Sequence, residues 1–130
     1  MSLKSKGINA ERELIHKFWG SGWASTRVAG SGSIKYASPD VIAGRGNRKI
    51  VIECKVTKNT RQYLTHKEVK ELQEFASIFG GEAWIGVKFN SYGWYFLNIE
   101  DLELTPKSYV TSLEHAKLKG LLFEELIEFK

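Results

Sequence analysis

Cysteine and histidine are scarce in this 130-residue chain, and each shortage excludes a kind of site. The single cysteine, Cys54, cannot form a disulfide within the chain, so we expect a reducing compartment such as the cytoplasm. The three histidines, His16, His66 and His115, lack the spacing of a zinc site. No apolar run approaches the roughly 20 residues of a membrane span, and we expect no signal peptide.

Length and composition are those of one ordinary globular domain. Hydrophobic residues make up 42% of the chain and charged residues 26%, as is usual for such proteins. A chain of this length can bury one substantial core and is too short for two domains. Neither internal repeats nor low-complexity segments interrupt it. We therefore predict a single domain over residues 1–130.

Positive charge is concentrated in the first half of the chain. Residues 1–67 contain thirteen Lys and Arg but four Asp and Glu, whereas residues 68–130 contain six and eleven. The halves therefore carry net charges of +9 and −5, which give the overall +4. A basic half of this size indicates a polyanionic partner such as nucleic acid. A surface that binds phosphates should exclude carboxylates that have no function. The four acids of residues 1–67 are Glu11, Glu13, Asp40 and Glu53.

Two of these acids belong to a motif, Pro39-Asp40 followed by Glu53-Cys54-Lys55. Two β-rich runs joined by a short turn predict a hairpin here. Because side chains alternate along a strand, Glu53 and Lys55 share one face about 7 Å apart, and Asp40 on the neighbouring strand reaches both. Carboxylates can hold a hard divalent cation through oxygen. An amine can steer water and offset charge on a phosphate, so the motif favours metal-dependent phosphodiester hydrolysis.

The motif also has a purely structural interpretation. Glu53 and Lys55 can form an exposed charge pair on a solvated face, and a spacing of this kind arises by chance fairly often. The opposite face of the same strand is apolar and is expected to enter the core. That face comprises Ile50, Ile52, Cys54 and Val56.

A third carboxylate comes from a predicted helix running from Gly7 to about Trp19. At 100° per residue, Glu11 lies near the middle of the apolar stripe, whereas Glu13 points the opposite way, into solvent. A carboxylate on a buried face is costly unless something compensates it. Glu11 is therefore either in a structural salt bridge or cap, or directed at the same metal as Asp40. The apolar stripe comprises Ile8, Leu14, Ile15 and Phe18.

Two segments of the basic half have open assignments. Residues 1–6, with Lys4 and Lys6, are predicted to be a frayed arm that either contacts phosphates or has no role. Residues 29–38 form a loop leading into Asp40, and it either contacts substrate or is a plain connection. Residues 57–63 form a polar and basic stretch.

The second half predicts a helix, a hairpin and a weakly assigned tail. Thr65 to Glu68 has the form of a capping box and opens a helix to about Phe79. Strands at 82–89 and 94–99 follow, and their aromatic residues favour either core packing or an interface. In the tail, residues 109–111 are predicted to form a short edge strand. Ser112 is predicted to cap a helix, and Gly120 is predicted to interrupt that helix. The predicted fold is an α/β domain with a central mixed β-sheet flanked by helices. The predicted buried stripe of the helix comprises Val69, Leu72, Ala76 and Phe79.

The order of these motifs resembles the archaeal-type Holliday junction resolvases, from Gly7 to about Leu97. That family belongs to the type II restriction endonuclease-like nucleases with the PD-(D/E)xK motif. The resemblance implies this fold, a homodimer, and symmetric cleavage of four-way DNA junctions with Mg²⁺, for which Mn²⁺ can substitute. Residues 100–130 match weakly. The segments that carry the resemblance are Ala10-Glu11-Arg12-Glu13-Leu14, Arg27-Val28-Ala29-Gly30-Ser31, Pro39-Asp40, Glu53-Cys54-Lys55 and Phe75-Ala76-Ser77-Ile78-Phe79-Gly80-Gly81.

Carried across position by position, the resemblance assigns roles to the motif residues. Glu11, Asp40 and Glu53 are implied metal ligands, and Lys55 is implied to stabilise the transition state.

The resemblance also implies roles for residues near the loop. Ser31 is implied to be needed for junction cleavage, with Ser33 as the alternative because the loop varies in length within the family. Arg12 and Arg27 are implied to contact DNA or support the active site.

The expected partner is four-way junction DNA, with no small-molecule substrate. The alternatives are a restriction-like or repair nuclease acting on ordinary duplex and a non-catalytic junction-binding protein. Three acids on a basic surface argue against the second alternative, because binding alone gains nothing from them. The remaining predicted DNA contacts are Lys4, Lys6, Lys35, Arg45, Arg48, Lys58 and Arg61.

Overall fold

A computed structural model describes residues 3–29 and 35–128, which form helices on both faces of a sheet. The helices are α1 (Leu3–Gly20), α2 (His66–Phe79), α3 (Leu113–Lys119) and α4 (Phe123–Glu128), with a 3₁₀ helix at Ile99–Asp101. The strands are β1 (Ala24–Arg27), β2 (Val41–Arg45), β3 (Arg48–Thr57), β4 (Arg61–Thr65), β5 (Glu82–Phe89), β6 (Gly93–Leu97), β7 (Glu103–Leu104) and β8 (Ser108–Ser112).

The main sheet is five-stranded and mixed, with the order β1-β2-β3-β5-β6. The predicted hairpin is present as β2 and β3, which pair antiparallel from Val41 opposite Ile52 to Arg45 opposite Arg48. Strands β3 and β5 are parallel, and α2 lies in the connection between them. The predicted mixed sheet flanked by helices is confirmed.

Each face of the sheet is covered by its own apolar core. One core packs α1 and α4 against Ile50, Ile52, Trp84 and Phe96. The other packs α2 and α3 against Val51, Ile85 and Val87. Strand β3 is therefore apolar on both faces at residues 50–52, so the solvated face of the purely structural interpretation is absent there. On the α2 side, the polar side chains of Glu53 and Lys55 follow the buried Val51 along the strand.

Helix α2 has the predicted capping box. The Thr65 side chain accepts a hydrogen bond from the Glu68 amide, and the Glu68 side chain accepts one from the Thr65 amide. The helix ends at Gly80, whose φ of 83° is left-handed and suits glycine. Val69, Leu72 and Ala76 are buried as predicted, but Phe79 is 41% exposed. Its predicted burial is wrong, because Phe79 borders an open cleft over β1 and β2.

Several other expectations need correction. Helix α1 begins at Leu3, so residues 3–6 are helical rather than a frayed arm. The stretch 61–65 forms β4, which the sequence did not predict. Strand β8 lies in the middle of a second, three-stranded sheet with the order β4-β8-β7, not at an edge. Trp84, Trp94 and Phe96 are at most 6% exposed, so the aromatic hairpin fills the core and is not an interface.

Residues 100–128 pack into both cores. Ser112 caps α3 through the His115 amide, as predicted, and Gly120 separates α3 from α4. Leu113 and Ala116 enter the α2-side core, and Phe123 and Leu126 enter the α1-side core. No helix among the described residues is long and apolar enough to cross a bilayer.

Candidate active site

Asp40 is held by the backbone of the strands on either side of it. Its carbonyl accepts a hydrogen bond from the Val28 amide at 2.9 Å, and its amide donates to the Ile52 carbonyl at 3.0 Å. Its carboxylate oxygen Oδ2 accepts a hydrogen bond from the Cys54 amide at 2.8 Å. These bonds fix the Asp40 side chain at the start of β2, beside the second half of β3. The sequence prediction that Asp40 reaches the Glu53 segment is confirmed.

Glu53 is a partly buried carboxyl group beside Asp40. Burial and the negative charge of Asp40 raise the pKa of Glu53 to about 8, while Lys55 acts in the opposite direction. A hydrogen bond between the side chains of Glu53 and Asp40 adds to this rise. The two carboxyl groups therefore behave as a closely placed pair that resists carrying two negative charges.

Glu11 reaches the site from the α1 side of the sheet. Its Oε1 accepts a hydrogen bond from Arg27 Nε at 2.8 Å, and its side chain is 15% exposed. Burial and the charge of Asp40 raise the pKa of Glu11, although Arg27 opposes the rise. Of the two sequence interpretations, the salt bridge is present, and proximity to Asp40 is present as well.

Lys55 projects from β3 on the same side as Glu53, and its ammonium is hydrogen-bonded to the Glu68 carboxylate. Glu68 lies at the first turn of α2, where its other carboxylate oxygen, Oε1, accepts a hydrogen bond from the Thr65 amide at 2.9 Å. The ammonium is thus tied to the beginning of a helix. Sequence analysis identified Glu68 as a capping residue and missed its contact with Lys55.

The three carboxylates surround the Cys54 segment of β3. Burial raises the pKa of the Cys54 thiol well above its ordinary value, and the charges of Asp40, Glu11 and Glu53 contribute in that order. Cys54 itself packs against the α1-side core, as the sequence predicted. The thiol therefore lies within electrostatic range of all three acids, close to the start of β2 and the second half of β3.

The carboxylates fit a hard divalent cation without forming a ready-made cage. Over residues 3–29 and 35–128, no three His, Cys, Asp or Glu side chains are grouped closely enough to hold a metal ion. One reason is that the Glu11 carboxylate is turned toward Arg27. All three candidates supply oxygen, which hard cations prefer. Asp40 raises the pKa of both Glu11 and Glu53, and a cation would relieve that repulsion.

The other predicted site residues fall into three groups. Lys58 and Arg61 are exposed directly after β3, and Arg12 is exposed on α1 one residue from Glu11. Lys4, Lys6 and Lys35 are also exposed, and the Lys35 ammonium lies 5.8 Å from the centre of the Tyr36 ring. Ser31 and Ser33 lie outside the described residues, so their predicted role stays a prediction.

Arg45 and Arg48 lie at the opposite end of β3 from the carboxylates. Seven residues separate Arg48 from Lys55, which is about 23 Å along a strand. Arg48 makes two hydrogen bonds to Glu82 at 2.9 and 3.1 Å and one to the Leu126 carbonyl at 2.6 Å. Its guanidinium also lies 5.3 Å from the centre of the Trp23 ring. These contacts give Arg48 a structural role, and its predicted DNA contact stays a prediction.

Known proteins resemble this chain over nearly its whole length. A family model described as archaeal Holliday junction resolvase (Hjc) matches residues 2–130. A crossover junction endodeoxyribonuclease Hjc from Archaeoglobus fulgidus is 38% identical, with 95% of this chain and 96% of that protein covered. The enzyme of the same name from Sulfolobus acidocaldarius is also 38% identical, with coverage of 99% and 91%.

A solved structure agrees with these sequence matches. The 1.6 Å structure of Archaeoglobus fulgidus Hjc, a Holliday junction resolvase from an archaeal hyperthermophile, superposes with a TM-score of 0.85. The alignment is 36% identical and covers 91% of this chain and 95% of that one.

Proposed function

Because the chain belongs to the archaeal Holliday junction resolvase family, we propose that it cuts four-way DNA junctions by Mg²⁺-dependent hydrolysis of phosphodiester bonds. The family is one of divalent-metal-dependent nucleases, and the choice of Mg²⁺ follows from the oxygen-only donor set. The observation that carries the proposal is the placement of Asp40, Glu53 and Lys55 together on rigid strands, with Glu11 reaching them from α1.

Asp40, Glu53 and Glu11 are the residues that would hold the metal. When bound, the metal supplies positive charge for the scissile phosphate and lowers the pKa of water. Asp40 keeps its position because the Cys54 amide fixes its carboxylate, and Arg27 limits the swing of Glu11. The chain thus restricts the Asp40 and Glu11 carboxylates before substrate arrives, which removes part of the ordering cost from the reaction.

Lys55 is the residue of this site that can approach the phosphate as a cation. Its ammonium carries three donors and a positive charge, which suit the phosphate oxygens where negative charge develops during hydrolysis. The same ammonium can orient the attacking water through one of its protons. Its place on β3, two residues from Glu53, lets the acid and the amine act on one phosphodiester.

The basic half of the chain is the proposed DNA-binding face. Lys58 and Arg61 follow Lys55 by three and six positions, and Arg12 follows Glu11 directly, so exposed positive charges lie close in sequence to the proposed site residues on two segments of the chain. Contacts of this kind position DNA phosphates without reading base sequence. Shape, and not sequence, is therefore the proposed basis for choosing a junction.

We further propose that the working unit is a homodimer that pairs through an apolar surface beside β1 and β2. This open face consists of Trp19, Ile42, Phe75, Ile78 and Phe79. Ile78 is 82% and Trp19 60% exposed, and a cleft of about 420 Å³ lies between Trp19 and Phe79 over β1 and β2. A second copy suits this face because a junction must be cut on two opposing strands and each chain supplies one site.

Cleavage of labelled DNA tests the proposed function. We expect a four-way junction to be cut in Mg²⁺ and left intact in EDTA, and a linear duplex of the same sequence to be cut far more slowly. Asp40→Asn should abolish cutting while junction binding stays equal or becomes tighter, since a lost carboxylate repels phosphates less. Lys55→Ala should also abolish cutting, while junction binding stays nearly intact because the other exposed basic residues keep their phosphate contacts.

The control variant is Glu74→Gln, an exposed acid on the outer side of α2. Glu13 is unsuitable as a silent control, because it accepts hydrogen bonds from Lys88 and Trp94 at 3.1 Å. Equal cutting of duplex and junction would favour the duplex nuclease, and tight binding without any cutting in Mg²⁺ would favour a non-catalytic junction-binding protein.

A further inference from the structure

Glu68 makes two contacts at once, and they link a helix to the proposed active site. One carboxylate oxygen accepts a hydrogen bond from the Thr65 amide at 2.9 Å, and the other is hydrogen-bonded to the Lys55 ammonium. The Glu68 amide in turn donates to Thr65 Oγ1 at 3.0 Å. The carboxylate therefore has little freedom, because backbone and side-chain bonds hold it at the start of α2.

Helix capping alone does not account for a charged residue at position 68. A capping box uses Glu or Gln equally, because it needs one side-chain oxygen to accept from the N-cap amide. A neutral Gln would also spare Glu53, whose pKa is raised further by the nearby Glu68 charge. The positive end of the helix dipole favours a negative charge in the first turn, but it does not account for the second oxygen, which is directed at Lys55.

Stability does not account for the ion pair either. The side chains of Lys55 and Glu68 are 25% and 29% exposed, and ion pairs with access to solvent contribute little to folding. The pair does restrict a lysine side chain, which is long and flexible. Lys55 has four rotatable bonds between β3 and its ammonium, so a fixed partner decides where the charge lies. The anchored Glu68 carboxylate is such a partner.

We propose that Glu68 is a positioning residue that holds the Lys55 ammonium where the scissile phosphate binds, an inference that rests on the proposed nuclease function. Glu68 acts through Lys55 and touches neither metal nor DNA in this role. Removing its charge should slow the chemical step and leave the affinity for junction DNA unchanged, because the phosphate contacts that position DNA lie elsewhere. A 1 Å displacement of a reacting group is enough to slow catalysis strongly.

The test compares Glu68→Gln with Glu74→Gln under single-turnover conditions in Mg²⁺, well below the melting temperature. Both variants remove one negative charge from α2, but only Glu68→Gln removes the Lys55 partner while keeping the capping hydrogen bond. We expect Glu68→Gln to cleave roughly 10- to 100-fold more slowly, the range typical of orienting partners. Its junction Kd and melting temperature should stay near those of the wild type, and Glu74→Gln should match the wild type throughout. Glu68→Asp, which keeps the charge on a shorter side chain, should recover part of the rate.

The possible results separate this inference from the proposed function. A wild-type rate for Glu68→Gln, or an equal loss in Glu74→Gln, would overturn the role of Glu68 and leave the nuclease function standing. Failure of the wild type to cut junctions would overturn both. If Glu68→Gln does not fold, Glu68→Asp decides the matter: a slower rate with unchanged Kd supports the role, and an unchanged rate rejects it.

Discussion

Glu53 shows how a catalytic requirement acts against stability at the residue scale. Its carboxyl group lies against Asp40 in a partly buried position, and its pKa rises to about 8. In the metal-free protein, ionised Glu53 is therefore less stable in the folded state than in the unfolded chain. The proposed role of both acids in holding a cation would account for this cost.

The pH dependence of unfolding tests this cost. Since the pKa of folded Glu53 exceeds its ordinary value, the folded state binds more protons between about pH 4.5 and 8, and stability falls as pH rises through that window. Glu53→Gln removes the ionisable group, so in EDTA it should be more stable than the wild type at pH 8, by an amount on the order of a few kcal/mol. The difference should shrink toward pH 5. Urea unfolding at both pH values measures it, and parallel pH profiles would contradict the argument.

Glu13 is a second residue whose role differs from the sequence expectation. The helical wheel directed it into solvent, and its side chain is 45% exposed. It nevertheless accepts hydrogen bonds from Lys88 on β5 and the Trp94 indole on β6. These bonds lower the pKa of Glu13, although burial alone would raise it. A helical wheel describes the residues of one helix only, so it could not predict hydrogen bonds from neighbouring strands.

At the scale of elements, Arg48 ties together the beginning of β3, the beginning of β5 and the end of α4. Its hydrogen bonds reach Glu82 and the Leu126 carbonyl, and its guanidinium lies over Trp23. Burial alone would raise the pKa of Glu82, but hydrogen bonds from Arg48 and Trp84 outweigh it and lower the pKa. Glu82 therefore stabilises the fold when ionised.

The acid sensitivity of this contact gives a second prediction. Because the folded pKa of Glu82 is depressed, its contribution is present above the ordinary Glu pKa and is lost as pH falls through the folded pKa. Glu82→Gln should lower the free energy of unfolding at pH 7 by about 1 kcal/mol, a value reduced for the 39% exposure of the side chain. The gap should close near pH 3. A constant gap across this range would show that charge is not involved.

The sequence predicted the elements whose signals are local. The capping box at Thr65, the glycine pair at 80–81 and the hairpin motif around Asp40 each depend on neighbouring residues, and each element is present. Strand β4 was missed because Arg61-Gln62-Tyr63 looks like a polar loop, and it becomes a strand only by pairing with β8 some 50 residues later. Pairing between strands so far apart in the chain cannot be recognised from the local sequence pattern.

The sequence predicted that the candidate site residues lie near one another, but it did not reveal their hydrogen-bond partners. Asp40, Glu53 and Lys55 were identifiable from strand alternation and Glu11 from its position on a helix. The bonds from Glu11 to Arg27 and from Lys55 to Glu68 join different elements. Thr65-x-x-Glu68 was a signal for Glu68, but a capping motif does not reveal what the second carboxylate oxygen contacts.

At the scale of the whole molecule, the open face predicts self-association. Ile78→Glu places a charge at the most exposed residue of this apolar surface and should convert a dimer to a monomer, measured by light scattering. Leu118→Glu is the matched control, since Leu118 is 78% exposed on α3, away from the open face. The monomeric variant should leave singly nicked junctions, because the second site is absent. A wild-type mass for Ile78→Glu would place the interface elsewhere.

The division of charge predicts a steep salt dependence of binding. With +9 on residues 1–67 and −5 on residues 68–130, phosphate contacts come mainly from the first half. Each contact releases counterions, so the logarithm of junction affinity should fall linearly with the logarithm of salt concentration. Arg61→Gln should reduce the slope of this line by the amount expected for about one phosphate contact. Lys107→Gln, in the acidic half, should leave the slope unchanged. A slope of zero would exclude the basic half as the binding face.

The packing of α1 against α4 has a consequence for how the chain folds during translation. The ring of Phe18 meets that of Phe123 with 5.0 Å between centres, although 105 residues separate them in the chain. At translation rates of about 5–20 residues per second, α1 emerges from the ribosome roughly 5–20 s before its partner is made. During that interval the apolar side of α1, which also carries Glu11, has no α4 to complete its packing. We therefore expect the α1 side of the proposed active site to reach its final packing only after α4 has been translated.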